Sequence, residues 1–301
     1  MILGDVFMKR IVPHLWFDKE AMEAATFYTS LFKRSGIKGS TIIEDTPSGK
    51  VEIVTFTLVG LDFEAISAGP YFKFNPSINL IARSKSKEEI KRLWEELTKE
   101  GSELMPLDEY PFCELYAWVE DRFGLTWQLM YDKDLTEKHS INPGMLFSDI
   151  ACGRTEEAIN FYLEVFNNSS LNFISKYNPG EAPDQRARVN YSEFSLDGFK
   201  MVAMDNAMGA DFSFNEAFSL IIKCRDQEEI DYYWDRLSAD PEAEQCGWIK
   251  DKFGVSWQIV PENMEEILFG GTPDEKRRVT QAFLQMKKFD LEELERARLG
   301  K

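Results

Sequence analysis

The sequence predicts an α+β fold made of two copies of one module and finished by a helical tail. Three observations carry this. Three blocks recur in the same order: EAATFYTSLF at 23–32 and EAINFYLEVF at 157–166, KEEIKRLWEEL at 87–97 and QEEIDYYWDRL at 227–237, DRFGLTWQL at 121–129 and DKFGVSWQI at 251–259. Their offsets of 134, 140 and 130 residues drift as duplication with loop insertions would make them. Helical and strand periodicities alternate within each copy, and residues 262–301 have no counterpart in the first half.

Each module opens on a short β-rich run, IVPHLWF in the first and GMLFSDIA in the second. A helix follows, because Ala24, Phe27, Tyr28 and Leu31, and likewise Ala158, Phe161, Tyr162 and Val165, fall at i, i+3, i+4 and i+7. The runs VEIVTFTLVG, LDFEAISA and SINLIAR, with their partners VNYSEFSL, FKMVAMD and FSLIIKC, read as strands broken by turn residues. A second helix carries Ile90, Leu93, Trp94 and Leu97, or Ile230, Tyr233, Trp234 and Leu237. Capping boxes are expected at Ser86 with Glu89 and at Asp226 with Glu229, and Gly101 is a stop signal. The repeated DxFGxxWQ block closes each module as strand, turn and strand. Its Asp121, Gly124, Asp251 and Gly254 shape the turn. Alternation then sets Thr126, Gln128 and Met130 on one face and Leu125, Trp127 and Leu129 on the other, and the second copy repeats the split. The polar stretch DKDLTEKHSINPG at 132–144 reads as the linker. The modules are therefore 9–131 and 145–261. The tail, 262–301, starts one helix at Thr272–Pro273 and caps another with Asp290 and Glu293, as a brace or a homodimer contact.

Composition narrows the function classes. With 35 basic and 52 acidic residues the net charge is −17, which repels a phosphate backbone, so no nucleic-acid partner is expected. No apolar run approaches a membrane span and MILGDVFMKR lacks a signal-peptide layout, so a cytoplasmic protein without a membrane partner is expected. Cys113, Cys152, Cys224 and Cys246 form no CxxC pair, and His14 and His139 are the only histidines, too few for a histidine-rich metal site.

The FY helix motif, the closing strand FGxxWQ, and GWIKDKFGVSWQIVP followed by a basic MKKFDLEEL tail resemble the PhnB-like branch of the vicinal oxygen chelate superfamily, the superfamily of glyoxalases and bleomycin-resistance proteins. Many of its members carry the name 3-demethylubiquinone-9 3-methyltransferase. The resemblance spans nearly the whole chain in two copies. It implies paired βαβββ modules whose mixed sheet curls into a cup, with metal ligands, in the relatives that use one, on first and last strands. Carried over, the first-strand positions fall at or near His14 and Ser148 and the last-strand positions at Gln128 and Gln258. One imidazole, two neutral amides and a hydroxyl are a poor divalent site, so no cofactor is expected. Were a metal held, its ligands would be His14, Gln128, Glu64 and Gln258, with Asp149 the other nearby carboxylate.

The resemblance and the depleted ligands together imply a small-molecule cup, with His14, Trp16, Gln128, Ser148 and Gln258 as its binding residues. Trp118 and Trp248 line an aromatic pocket or fill the sheet. Whether the cup only binds or also transforms an aromatic or oxygenated compound is open, and the alternative is a metal-dependent glyoxalase-like or dioxygenase-like enzyme. Methyl transfer from S-adenosylmethionine is not supported, because no Gly-rich turn links a strand to a helix.

Overall fold

A computed structural model describes residues 10–46 and 49–301. Residue 9, the expected module start, and the N-terminal stretch read for a signal lie outside the described residues. The first half of the chain runs β1 (Ile11–Phe17), α1 (Ala21–Leu31), β2 (Gly36–Thr46), β3 (Gly49–Leu58) and β4 (Leu61–Ser67), then β5 (Ile78–Ser84), α2 (Lys87–Leu97), β6 (Ser102–Tyr110), β7 (Cys113–Glu120) and β8 (Thr126–Tyr131). The second half repeats it with β9 (His139–Phe147), α3 (Thr155–Val165), β10 (Ser170–Lys176), β11 (Val189–Leu196) and β12 (Phe199–Asp205), then β13 (Phe218–Cys224), α4 (Gln227–Leu237), β14 (Trp248–Lys250) and β15 (Ser256–Pro261). Each half is thus two units in succession, β–α–β–β–β in the first three and one strand short in the fourth, where the sequence reading gave each half one module.

The units do not pair within their own half. One sheet has seven strands in the order β14-β15-β13-β1-β4-β3-β2, and the other has eight, β10-β11-β12-β9-β5-β8-β7-β6. Each sheet therefore joins one unit from each half. The seams are antiparallel: β1 meets β13 with His14 opposite Ser219, and β5 meets β9 with Asn79 opposite Gly144. Strand alternation decides the faces. Ile11, Leu15 and Phe17 are buried toward the helices, leaving Val12, His14 and Trp16 on the opposite face. Helix α1 packs on β2–β4 of the first sheet, yet its Tyr28 and the adjoining Phe32 pack on Trp127 of the second; α3 does the converse through Tyr162, Phe166 and Trp257. The helices lie between the sheets, and one apolar core runs through both halves.

One boundary and two caps differ from the sequence reading. The expected linker loses residues 139–144 to β9, because their backbone completes the ladder with β5 and Ile141 packs into the core. Gly144 also suits this rung, since a Cβ there would stand 2.8 Å from Ile81 Cδ1. Ser86 and Asp226 cap α2 and α4 by accepting from the Glu89 and Glu229 amides, but the reciprocal bonds are absent: Glu229 instead accepts from the Arg225 amide.

The tail forms α5 (Met264–Phe269), α6 (Pro273–Phe283) and α7 (Leu291–Leu299), with the full capping box at Thr272 and Glu275 and the Asp290 cap on Glu293. Its 286–289 segment takes the place that β6 fills beside β7. Cys246 and Gly247 donate their amides to the carbonyls of Met286 and Lys287, and Gln227 bonds Phe289 and Leu291. The fourth unit lacks an outer strand, and the tail covers the edge this leaves.

Candidate functional site in the cup of the seven-stranded sheet

The repeated DxFGxxWQ block separates into construction and site. Asp121 accepts at Oδ1 from the amides of Phe123 and Leu125, fixing the turn. At Oδ2 it accepts from Tyr28 Oη and Trp127 Nε1, both at 2.8 Å. Asp251 repeats all four bonds with Phe253, Val255, Tyr162 and Trp257. The tyrosine of the FY motif and the aspartate of the closing motif therefore form one device, which ties α1 and α3 to the Trp face of a sheet. Burial pushes the Asp121 carboxyl up to about 6 and the four bonds pull against that rise; Asp251 is shifted the same way.

The glutamine follows the Trp of that device in the same strand and so faces the opposite side of the sheet. Gln258 Nε2 donates to Ser219 Oγ at 3.0 Å, and Ser219 Oγ lies 3.3 Å from His14 Nδ1. The three are 7, 0 and 2% exposed. Burial draws the His14 imidazole from 6.5 down to about 3, so it is neutral at physiological pH and cannot serve there as a proton donor in its cationic form. Its Nε2 has no hydrogen-bond partner among the described residues. Across the β1–β4 ladder His14 stands opposite Glu64, half-buried and likewise without a hydrogen-bond partner among them. Burial raises the Glu64 carboxyl, Lys223 opposes the rise and Glu265 of α5 adds to it. Aromatic rings close over this bed. Trp248, 5.4 Å from the His14 ring, packs edge-on against it and against Trp16, which also meets Phe72 and donates Nε1 to the Gly69 carbonyl.

Of the residues expected to meet, the structure brings together His14, Trp16, Glu64 and Gln258. It does not bring in Gln128 or Ser148. Gln128 lies in the eight-stranded sheet, where Nε2 donates to Asn79 Oδ1 at 3.0 Å and Oε1 accepts from Tyr116 at 3.1 Å. Ser148 follows β9, with its hydroxyl on the Leu146 carbonyl. Register shows that the counterpart of His14 is Gly144, because each faces the seam residue of its partner strand, Ser219 or Asn79. The assignment to Ser148 extended the helix offset of 134 through a connection that is four residues longer in the second copy, 148–154 against 18–20. The true offset at this strand is 130, the same as for the closing motif. Ser219 was missed, although the 140-residue offset of the second helices makes it the equivalent of Asn79.

The two cups are therefore unequal. Where the first has His14, Ser219, Gln258 and Glu64, the second has Gly144, Asn79, Gln128 and Val202. The space beside Gly144 is occupied by Asn79 Oδ1 and Ile81, 2.9 and 2.8 Å from where a Cβ would lie. The first cup has two strong metal donors, His14 and Glu64, and two weak ones, and the His14 Nδ1 side is already engaged by Ser219. Among the described residues no three His, Cys, Asp or Glu side chains gather as a metal site. Two strong donors and two weak ones are a poor set for a divalent ion.

Comparison with known proteins agrees with the architecture. A profile described as 3-demethylubiquinone-9 3-methyltransferase matches residues 9–130 and again 139–260. The PhnB protein of Bacillus cereus, named for the same methyltransferase, is 33% identical over 40% of this chain and 98% of its own, with a TM-score of 0.38. Glyoxalase I from Zea mays shares 12% identity over 86% of this chain and 96% of its own, with a TM-score of 0.54, a likeness of fold alone. A comparison with curated proteins found no match.

Proposed function

The chain belongs to the PhnB-like family described as 3-demethylubiquinone-9 3-methyltransferase, within the vicinal oxygen chelate superfamily, and from that premise we propose that it binds a small, neutral aromatic or oxygenated molecule in the cup of its seven-stranded sheet, without a metal. The observation that carries this is the buried Gln258–Ser219–His14 relay with Glu64 beside it, present in one cup and replaced in the other. A buried polar relay that ends on an open imidazole nitrogen presents one fixed hydrogen-bonding point, and Glu64 supplies a second. The rings of Trp16 and Trp248 give an apolar, flat-sided wall. His14 is only 2% exposed, and the Trp248 ring packs edge-on against it.

Methyl transfer is not part of the proposal. The connections from strand to helix, 18–20, 85–86, 148–154 and 225–226, are not glycine-rich turns. Gly153, the glycine within them, has φ +87°, and its Cβ position would fall 2.3 Å from the Arg186 carbonyl, a packing reason for its presence. The second reading, a metal-dependent glyoxalase-like or dioxygenase-like enzyme, draws on the His14–Glu64 pair. Elemental analysis of freshly purified protein separates the two: near-stoichiometric nickel, zinc, iron or manganese would replace our reading. The test of the cup itself is titration with phenol and catechol followed by tryptophan fluorescence. A saturable change that disappears in Trp248→Leu and weakens in His14→Ala is expected; the same change in all three proteins would count against the cup.

A further inference from the structure

Resting on the function proposed above, we propose that Asn75 and Asn215 are positioning residues for the cup of the seven-stranded sheet: each clasps the loop that carries the other, and together they fix the cup's tryptophan wall. Two loops carry the chain from one sheet to the other, residues 68–77 between β4 and β5 and residues 206–217 between β12 and β13. They are equivalents in the duplication, with Asn75 and Asn215 standing 140 residues apart like the second helices. Asn75 Nδ2 donates to the Ser213 carbonyl and Asn215 Nδ2 to the Lys73 carbonyl, both at 2.9 Å. Each Oδ1 meanwhile accepts an amide of its own loop, from Ser77 at 2.9 Å or from Ala217 at 2.8 Å. A side-chain amide serves both ends at once. An aspartate could still close its own turn but has no proton to donate across.

The two loops meet at the tryptophans of one cup. The first loop holds the Trp16 ring, because Trp16 Nε1 donates to the Gly69 carbonyl at 2.8 Å and Phe72 packs edge-on at 5.1 Å. The second loop holds the Trp16 backbone, whose amide donates to the Ala217 carbonyl at 2.8 Å. Beside Ala217, Glu216 pairs at 2.7 Å with Lys250, two residues beyond Trp248 in β14. Ring and backbone of Trp16, and the strand of Trp248, are thus tied to two loops whose relative position the asparagines set. At the other cup the same frame carries no indole. The Leu146 amide donates to the Ser77 carbonyl at 2.7 Å, and at the offset of 130 leucine stands where the first cup has Trp16. The clasp therefore serves the cup that holds the His14 relay. A wall fixed in advance receives a flat ring without first being ordered, so the clasp contributes to affinity without touching the ligand.

The wall can be read without a ligand. Trp16 and Trp248, with ring centroids 6.0 Å apart, are the tryptophans in ring contact with each other among the described residues, and such a pair gives an exciton couplet in circular dichroism. On the full chain we expect a couplet that Trp248→Leu abolishes, that Asn75→Asp and Asn215→Asp each diminish, and that Tyr162→Phe, destabilised away from this cup, leaves unchanged. Catechol affinity should fall about five- to tenfold in both aspartate variants, the worth of one hydrogen bond. A couplet unaltered in both variants, or diminished equally in Tyr162→Phe, overturns the clasp; so does catechol affinity that stays at the wild-type value while the couplet falls. Wild-type protein that binds no catechol would overturn the proposed function instead, and the couplet would still decide whether the asparagines position the wall. The Asn215 bond lies at the surface, so Asn215→Asp should fold even where Asn75→Asp does not.

Discussion

At the scale of single residues, His14 gives the sharpest prediction. Its folded pKa lies below the unfolded one, so the stability it confers is complete above about 6.5 and is lost as pH falls toward about 3. Urea unfolding of His14→Gln between those limits should show a dependence on pH shallower than wild type by up to ~1.4 kcal/mol per unit; identical slopes would mean that the imidazole is not desolvated. Tyr28 and Tyr162 carry a second prediction. Each donates to a buried aspartate that also serves a tryptophan and two amides, so Tyr28→Phe and Tyr162→Phe should each cost about 1–3 kcal/mol. The residue types of the cup were legible in the sequence, since strand alternation alone sends Gln258 away from Trp257. Their company was not: Gln128 carries the same local signature and lies in the other sheet, because strand partners are chosen by tertiary packing.

At the scale of elements, helices announced themselves by their 3.6-residue spacing and their caps, and α6 of the tail starts at Thr272–Pro273 where the sequence puts it, while the short α5 before it was not foreseen. What stayed hidden was the equal rank of the units. Strand β6 has the exposed, polar pattern of an edge, and in the fourth unit the corresponding segment gives way to a loop, so the repeat reads as incomplete. The tail makes good that loss, which gives residues 286–294 a structural task. Phe289 is 1% exposed, with a ring edge against Gly247 and its carbonyl on Gln227. Phe289→Ala should therefore destabilise the protein by about 3–5 kcal/mol, measured by denaturant unfolding. A loss under about 1 kcal/mol would remove the tail from its place on the β14 edge. Gly144 is the element-scale reason for the inequality of the cups, since a side chain at that rung would meet Asn79 and Ile81.

At the scale of the whole molecule, the exchange of units between sheets makes the duplication necessary to the site. Residues 10–131 contain His14, Trp16 and Glu64 but neither Ser219 nor Gln258, and alone they leave the seam edges of β1 and β5 unpaired. Expressed separately, the halves should fail to give stable monomers and should recover a 1:1 complex on mixing, checked by size exclusion with light scattering. A half that is monomeric and cooperatively folded would contradict the shared sheets. The α+β class, the repeat and the superfamily could be reached from sequence; the asymmetry of the cups could not, because it rests on which strand of one half lies beside which strand of the other. That asymmetry is the central claim, and calorimetric titration with catechol on the wild type, Gln258→Leu and Gln128→Leu tests it most directly. The account predicts one site per chain, lost in Gln258→Leu and kept in Gln128→Leu; two equal sites, or a loss confined to Gln128→Leu, would contradict it.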